Sequence, residues 1–241
     1  MKSRLLGSLT GSTLLLAAAV MADEPAGRHG PSVNPAAASY TFTAAPFTPD
    51  YQAPAPGSYR LPVIDTISDH VVVGTDGIPI LMSALTRGRL AVVAFVYTSC
   101  AEVTGCPLAE AILQRLDRGL AQEPQTARRV RLLSVSFDPE RDTPERMETV
   151  RGFYQPKTDW AFVTTRDETA LQPILDDFGQ SVAKLYFDDG AWTGLFRHVL
   201  KVFLVDEHNR IRNIYSSGLI STDLVLNDIR TLVLEDNRKQ N

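Results

Sequence analysis

One stretch of the chain, from Leu90 to Tyr97, is almost wholly apolar, and a second, from Val130 to Phe137, is largely apolar. Short strands that are buried on both faces have this near-continuous apolar character, whereas strands with one face in water alternate apolar and polar positions. We therefore predict that these two stretches form the central strands of a sheet.

After the first of these strands, apolar side chains recur at helical spacing, at Leu108, Ile112 and Leu116. Pro107 is expected to be the first helical residue, because proline favours that position. Other helices begin after residues that commonly cap helix N-termini. The predicted helices are Pro107 to Leu120, Pro144 to Phe153 after a Thr143 cap, an Asp167-capped helix to about Phe178 that Gly179 ends, and one from Ser221 or Thr222 to about Glu235.

Shorter stretches complete a pattern of alternating strands and helices. Residues 69–80 read as two strands around an Asp76-Gly77 turn. The remaining predicted strands are Trp160 to Thr164, about Val199 to Val205, and Ile211 to Ser216. Strands alternating with helices, followed by a hairpin and a last helix, indicate an α/β fold of the thioredoxin-like class. We expect a central mixed sheet flanked by helices, with an extra N-terminal hairpin.

The N-terminal residues 1–22 differ in pattern from the rest. They begin with a short basic region and continue with an apolar stretch that ends in small residues, which is typical of a secretory signal peptide. The stretch is near the lower length limit for a membrane-spanning helix, so an uncleaved anchor is the alternative. In both cases the protein is expected to be periplasmic or otherwise extracytoplasmic.

Residues 23–57 are rich in Pro and Ala. Such a segment buries too little apolar surface to offset the entropy cost of ordering it, so we interpret it as a linker. The folded domain is expected to span residues 58–236 and to be followed by a polar tail at residues 237–241.

The charge balance restricts the class of partner. The chain has 24 Lys and Arg against 28 Asp and Glu, which gives a formal net charge of −4 at pH 7. Cleavage of the predicted signal would remove Lys2 and Arg4 and make the protein more acidic. An acidic domain is a poor nucleic-acid binder, so no nucleic-acid partner is expected.

The two cysteines of the chain, Cys100 and Cys106, lie at the turn between the first buried strand and its helix. Free N–H groups and the dipole at a helix N-terminus stabilise a thiolate, so we expect a lowered pKa for Cys106. A thiol pair at such a turn serves metal binding or thiol–disulfide exchange. In an oxidising compartment it can also be a permanent disulfide. The residues alone leave these uses open.

Three stretches resemble the Sco/SenC family of thioredoxin-fold copper proteins. The stretch from Phe95 to Cys100 is similar to the strand that leads into the paired cysteines of that family. The stretch from Val135 to Pro144 is similar to its second strand and the following turn. His198, within the stretch from Phe196 to Asp206, lies where the family has its histidine, at the start of the last hairpin. The resemblance covers about residues 58–236.

The resemblance implies that Cys100, Cys106 and His198 are the ligands of a copper ion, Cu(I) and in some states Cu(II). It implies a metallochaperone that aids assembly of the copper centre of cytochrome c oxidase. The implied partners are an oxidase subunit or another copper-receiving protein, together with an upstream copper donor or a thiol reductant.

The chain departs from the family pattern around the cysteines. Five residues separate Cys100 from Cys106, where the family usually has three, and Thr104-Gly105 resembles a two-residue insertion. Ala101 follows the first cysteine, where the family has proline. Arg197 precedes the histidine, where the family often has an acidic residue. A longer loop is expected to change the bite angle and the redox potential of the pair.

Three alternatives to a copper site stay open. A thiol–disulfide oxidoreductase would use Cys100 and Cys106 as catalytic residues on the cysteines of a copper-site target protein, although the chain has no Cys-x-x-Cys spacing. A peroxidase would need an activated cysteine with a nearby Thr, such as Thr98, and an Arg. A binding module would hold the pair as a permanent disulfide. The polar turn at residues 138–142 is interpreted as structural, and Tyr186, Phe187 and Trp192 are expected to pack over the site.

Overall fold

The computed structural model describes residues 51–100, 102, 105–216 and 220–240. The predicted signal segment and residues 23–50 of the predicted linker lie outside these ranges. Among the described residues, no helix combines the length and the apolar character that crossing a membrane requires. The elements, in chain order, are β1 (Asp65–Thr66), β2 (Val71–Gly74), β3 (Pro79–Leu81), α1 (Met82–Thr86), β4 (Leu90–Val96), α2 (Cys106–Leu120), α3 (Pro124–Ala127), β5 (Val130–Ser136), α4 (Pro144–Tyr154), β6 (Trp160–Thr164), α5 (Glu168–Asp177), β7 (Val182–Tyr186), β8 (Trp192–His198), β9 (Lys201–Val205), β10 (Arg210–Ser216) and α6 (Thr222–Gln240).

Eight of the strands form one mixed sheet, in the order β1-β10-β9-β4-β5-β6-β2-β3. Strands β4, β5 and β6 are parallel, whereas β9 lies antiparallel to β4 on its other side. Every residue of β4 is buried, as the apolar run predicts. The extra N-terminal hairpin is also confirmed, because β2 pairs with β3 at the edge of the sheet.

Helices pack on this sheet through apolar faces. Helix α2 contacts β4, β5 and α6, and α4 contacts β6. The side chains of Ile112, Leu113 and Leu116 on α2 are completely buried. The predicted caps are confirmed, because the side chain of Thr143 accepts a hydrogen bond from Arg146 N and that of Asp167 accepts one from Ala170 N. These helices fix the loops at the carboxyl ends of β4 and β5.

Two sequence predictions near the site were wrong. Helix α2 begins at Cys106 rather than at Pro107, with Gly105 as its N-cap. The strand predicted from Val199 begins at Lys201, and the residues before it form β7 and β8, which the sequence analysis did not predict. These two strands pair antiparallel with each other as a separate two-stranded sheet. His198 therefore ends a strand of this second sheet rather than beginning the β9–β10 hairpin.

The end of the predicted linker and the predicted tail both contact the folded domain. Asn227 of α6 donates a hydrogen bond to Pro54 O, and Gly57 N donates one to Thr231 Oγ1. Helix α6 continues past Glu235 to Gln240, so residues 237–240 are helical. Arg129 donates hydrogen bonds to Asp236 and Asn237, which holds this last part of the helix against the sheet.

Candidate metal centre

The turn between β4 and α2 carries both cysteines. Cys100 N donates a hydrogen bond to Tyr97 O, and Gly105 N donates one to Glu102 O, so the loop closes in two tight turns. A Cβ at position 105 would lie 3.2 Å from Glu102 O and 3.5 Å from the Cys100 sulfur. Glycine therefore permits the close approach of the loop to the helix start. Ala101 and Thr104 lie outside the described residues.

A buried carboxylate fixes the beginning of this turn. Asp142, which is completely buried, accepts hydrogen bonds from Thr98 N at 3.0 Å and from Thr98 Oγ1 at 2.5 Å. Its other contact is Ser136 Oγ at 2.6 Å, at the end of β5. Asp142 belongs to the polar turn at residues 138–142, which the sequence analysis interpreted as structural. It ties the chain segment before Cys100 to the end of β5. The backbone that presents the cysteines is held by the core of the domain.

His198 reaches the cysteines from the end of β8. Because side chains alternate along a strand, Phe196 and His198 share one face of β8, and the Trp192 ring contacts that of Phe196 across the register irregularity of the hairpin. The ring of His198 packs 5.0 Å from the ring of Phe137 and 6.0 Å from that of Tyr97, measured between centroids. Its Nε2 atom lies 3.8 Å from the Cys106 sulfur.

The structure thus brings Cys100, Cys106 and His198 together. One potential ligand atom from each residue lies within 4.8 Å of the other two. Both cysteines are free thiols, with Cys106 buried and Cys100 half-buried. Two sulfurs and one imidazole nitrogen are donors that suit Cu(I) and Zn(II), whereas Mg²⁺ and Ca²⁺ prefer oxygen donors. The donor set and its separation fit a soft metal ion.

The two thiols share their proton unequally. The Cys106 thiol donates toward Cys100, and this hydrogen bond, together with one from His198, holds the pKa of Cys100 well below its usual range. The same interaction and then burial raise the pKa of Cys106. The expected lowering at Cys106 was therefore wrong, because burial and the neighbouring thiolate outweigh the effect of the helix N-terminus. Of the two thiols, Cys100, which is the more exposed, thus favours the thiolate form.

A cavity of about 260 Å³ borders both cysteines. Its lining includes Thr98, Arg146 and, on the helix, Glu110. Glu110 is fully buried, and neither of its carboxyl oxygens has a hydrogen-bond partner among the described residues. Burial raises the pKa of Glu110 to about 8, and the nearby Ser134 hydroxyl, which lies outside hydrogen-bond geometry, offsets this only in part. The sequence analysis missed this residue, and its spacing of four from Cys106, on the buried face of α2, is the signal that points to it.

The aromatic residues expected over the site divide into two groups. Trp192 packs on Phe196, with ring centroids 5.5 Å apart, and Phe196 packs on Tyr97. Tyr186 and Phe187 are instead 59% and 60% exposed, so the expectation that they pack over the site was wrong. They lie at the turn end of the β7–β8 hairpin.

Comparison with known proteins gives one family and one fold. A family model described as SCO1/SenC matches residues 65–234. No curated protein matches the chain.

Several solved structures share the architecture. Apo Sco1 from Thermus thermophilus has 26% identity and a TM-score of 0.56, with 73% of this chain and 95% of that chain covered. Copper-bound ScoI from Bradyrhizobium japonicum has 18% identity and a TM-score of 0.54, with 71% and 98% covered. BsSco, a member of the Sco family of cytochrome c oxidase assembly proteins in which a disulfide switch was identified, has 21% identity and a TM-score of 0.56, with 72% and 97% covered. These similarities confirm the predicted thioredoxin-like α/β fold.

Proposed function

The chain belongs to the SCO1/SenC family, and on that premise we propose that it is an extracytoplasmic copper metallochaperone. It holds Cu(I) through Cys100, Cys106 and His198 and aids assembly of the copper centre of cytochrome c oxidase. The observation that carries the proposal is that three soft or borderline donors from two separate parts of the fold lie within 4.8 Å of one another.

Copper is the cargo that this donor set suits best. Thiolates are soft ligands that select Cu(I), and imidazole is also a good copper ligand. Structural zinc sites usually have four protein ligands, whereas the group found among the described residues has three. Copper-bound structures of similar fold, such as ScoI from Bradyrhizobium japonicum, support the same choice.

Each residue has a distinct role in loading and release. Cys100 is half-buried and carries the lowered pKa, so it offers a thiolate that incoming copper meets first. Cys106 must lose its proton when it binds the ion, since a thiolate is the ligand form. His198 completes the site from the hairpin. Release to a partner needs only ligand exchange, with no covalent chemistry on the protein.

The partners and the location follow from the same proposal. The recipient is an oxidase subunit or another copper-receiving protein, and loading requires a copper donor and reduced cysteines. The basic and apolar pattern of residues 1–22 supports a location outside the cytoplasm, either after cleavage or with this segment as an anchor.

The proposal is tested by the affinity and stoichiometry of Cu(I) on the reduced protein, measured by competition with a chromophoric chelator. We expect one tight equivalent, which is lost when both cysteines are changed to Ser. Changing a group that only orients a metal ligand typically lowers metal affinity 10–100-fold. His198 is proposed as a ligand itself, so we expect His198→Ala to lower Cu(I) affinity by at least about tenfold. His208→Ala is the matched control, because the His208 side chain is 61% exposed. No tight equivalent in the unmodified protein would contradict the proposal.

A second candidate function is supported by the thiol pair itself. Cys100 is half-buried with a lowered pKa, and Cys106 lies beside it as a free thiol, which suits thiol–disulfide exchange on a copper-site target protein. The disulfide switch of BsSco, a protein of similar fold, points the same way. The two functions separate at His198, because exchange with a small disulfide should survive His198→Ala whereas Cu(I) affinity should not.

A further inference from the structure

The β7–β8 hairpin is attached to the domain without strand pairing. Within the described residues it forms a two-stranded sheet of its own, separate from the eight-stranded sheet. An isolated two-stranded hairpin is only marginally stable in water. The position of His198, at the end of β8, therefore depends on the contacts that hold this hairpin against the domain.

The Phe196 ring of the hairpin packs on the buried rings of Tyr97 and Phe137. Arg141 adds a cation–π contact with Trp192. Its guanidinium carbon lies 4.4 Å from the centre of the Trp192 ring and 5.8 Å from those of Tyr97 and Phe196. On its other side it pairs with Asp138, whose side chain is 1% exposed. An arginine that is fixed by a buried carboxylate and stacked on an indole is a specific docking contact, because both the charge and the plane of the guanidinium are used.

The backbone of β8 is shaped for this contact. Gly194 has φ +78, a conformation that side-chain-bearing residues rarely adopt. A Cβ at position 194 would lie 3.4 Å from Arg141 Nη1. The positive φ favours glycine at this position, and the Arg141 guanidinium lies in van der Waals contact with it.

A second cation covers the same indole ring. Lys184 Nζ lies 4.5 Å from the centre of the Trp192 ring. It also pairs with Glu168 of α5 at 2.5 Å and with Glu140 at 3.4 Å. Trp192 and Lys184 of the hairpin thus meet two separate parts of the domain, Trp192 at Arg141 in the β5–α4 connection and Lys184 at Glu168 at the start of α5.

We propose that Arg141 is a positioning residue that, by stacking on Trp192, docks the β7–β8 hairpin so that His198 reaches the cysteines. The part of this inference that concerns metal affinity rests on the proposed copper site. Weakening of the stack releases the third ligand while the two cysteines stay in place, so the hairpin is the part of the site that a partner can displace.

Four variants separate positioning from general stability. Trp192→Leu removes the aromatic face, and Trp192→Phe keeps one. Arg141→Gln is made together with Asp138→Asn, because Asp138 would otherwise be a buried carboxylate without its cation. Arg151→Gln is the matched control, since Arg151 is on α4, is exposed, and pairs only with exposed Glu148 among the ion pairs of the described residues.

Cu(I) affinity is measured for each variant with His198 present and with His198→Ala. We expect Trp192→Leu and the Arg141/Asp138 pair to weaken affinity about tenfold, the lower end of the range for groups that orient a metal ligand. Trp192→Phe should recover most of the loss, and Arg151→Gln should cause none. In the His198→Ala background the same changes should have no further effect, because they act through that residue. Equal losses in both backgrounds would overturn the proposal.

Amide hydrogen exchange on the metal-free protein provides the second readout. Trp192→Leu should speed exchange in β7 and β8 and leave β4 and β5 unchanged. Unchanged exchange in the hairpin would overturn the docking role. If the unmodified protein binds no Cu(I), the proposed function fails, and the exchange result alone then decides whether Arg141 and Trp192 hold the hairpin.

Discussion

The cysteine turn and the β7–β8 hairpin contribute to one site in different ways. The turn follows a completely buried strand, leads directly into α2, and is tied to β5 through Asp142. Among the described strands the hairpin pairs with none of the main sheet, and side-chain contacts such as that of Arg141 with Trp192 hold it to the domain. Two of the three donors therefore lie on a turn that backbone and buried hydrogen bonds fix, and the third lies on a hairpin that side-chain contacts hold in place. A site built in this way can change from three protein ligands to two without unfolding.

The largest expected effect tests the difference in rigidity. Asp142→Ala removes three hydrogen bonds from a buried group and leaves the buried hydroxyl of Ser136 and the half-buried donors of Thr98 without this acceptor. We expect a loss of about 4 kcal/mol in the free energy of unfolding. Asp189→Ala is the counterpart in the hairpin turn, where Asp189 accepts one hydrogen bond from Ala191 N. This change should cost less than about 1 kcal/mol. Similar losses in urea unfolding would remove the distinction between the two regions.

A smaller effect concerns Glu110, which lies on helix α2 beside the cysteine turn. Its pKa is about 8 in the folded protein, against 4.5 for an ordinary glutamate. Between these values the folded state binds the additional proton at Glu110, so the contribution of Glu110 to the free energy of unfolding falls as pH rises and levels off above the folded pKa. Burial also raises the pKa of Tyr154. The interaction of Cys106 with Cys100 raises the pKa of Cys106. Neither of these neighbours of Glu110 therefore titrates between the ordinary and the folded pKa of Glu110.

Glu110→Gln removes this penalty. We expect the variant to be more stable than the unmodified protein by about 3 kcal/mol at pH 7 and to differ little from it at pH 4. The difference between the two unfolding free energies, measured in urea across this range, isolates Glu110 from other titrating groups. A difference that is constant with pH would show that Glu110 is ionised in the folded protein.

The smallest effect tests the alternation along β8. Arg197 is exposed and lies on the strand face opposite to His198. Arg197→Gln should therefore change Cu(I) affinity by less than about twofold. By contrast, we expect Trp192→Leu to weaken Cu(I) affinity about tenfold. A loss from Arg197→Gln as large as that from Trp192→Leu would mean that charge near the site, rather than docking of the hairpin, sets the affinity.

The cysteine turn and the strands and helices around it could be predicted from the sequence. A continuous apolar run identified β4, a largely apolar one identified β5, and the Thr143 and Asp167 caps marked the helix starts, because burial and capping leave direct signals in the sequence. The grouping of Cys100 and Cys106 at the β4–α2 turn followed from the same pattern. His198 was found through a family resemblance, because 91 residues between it and Cys106 carry no local signal.

The hairpin and its contacts were not predicted, for physical reasons. Residues in β7 are half-buried or exposed, so they lack both a continuous apolar run and a clear alternation. Asp189-Gly190 was the available turn signal. The stack of Arg141 on Trp192 depends on tertiary structure alone. Glu110 was missed because a charged residue in a helix is expected to face water, and only the buried environment around it reveals the exception.

The most direct test of the site is X-ray absorption at the copper edge of the Cu(I)-loaded, reduced protein. The account predicts two sulfur neighbours and one nitrogen neighbour for each copper ion. The nitrogen should disappear in His198→Ala and remain in His208→Ala. A copper ion with two sulfur neighbours and no nitrogen, or a nitrogen that persists in His198→Ala, would contradict the assignment of His198 as the third ligand.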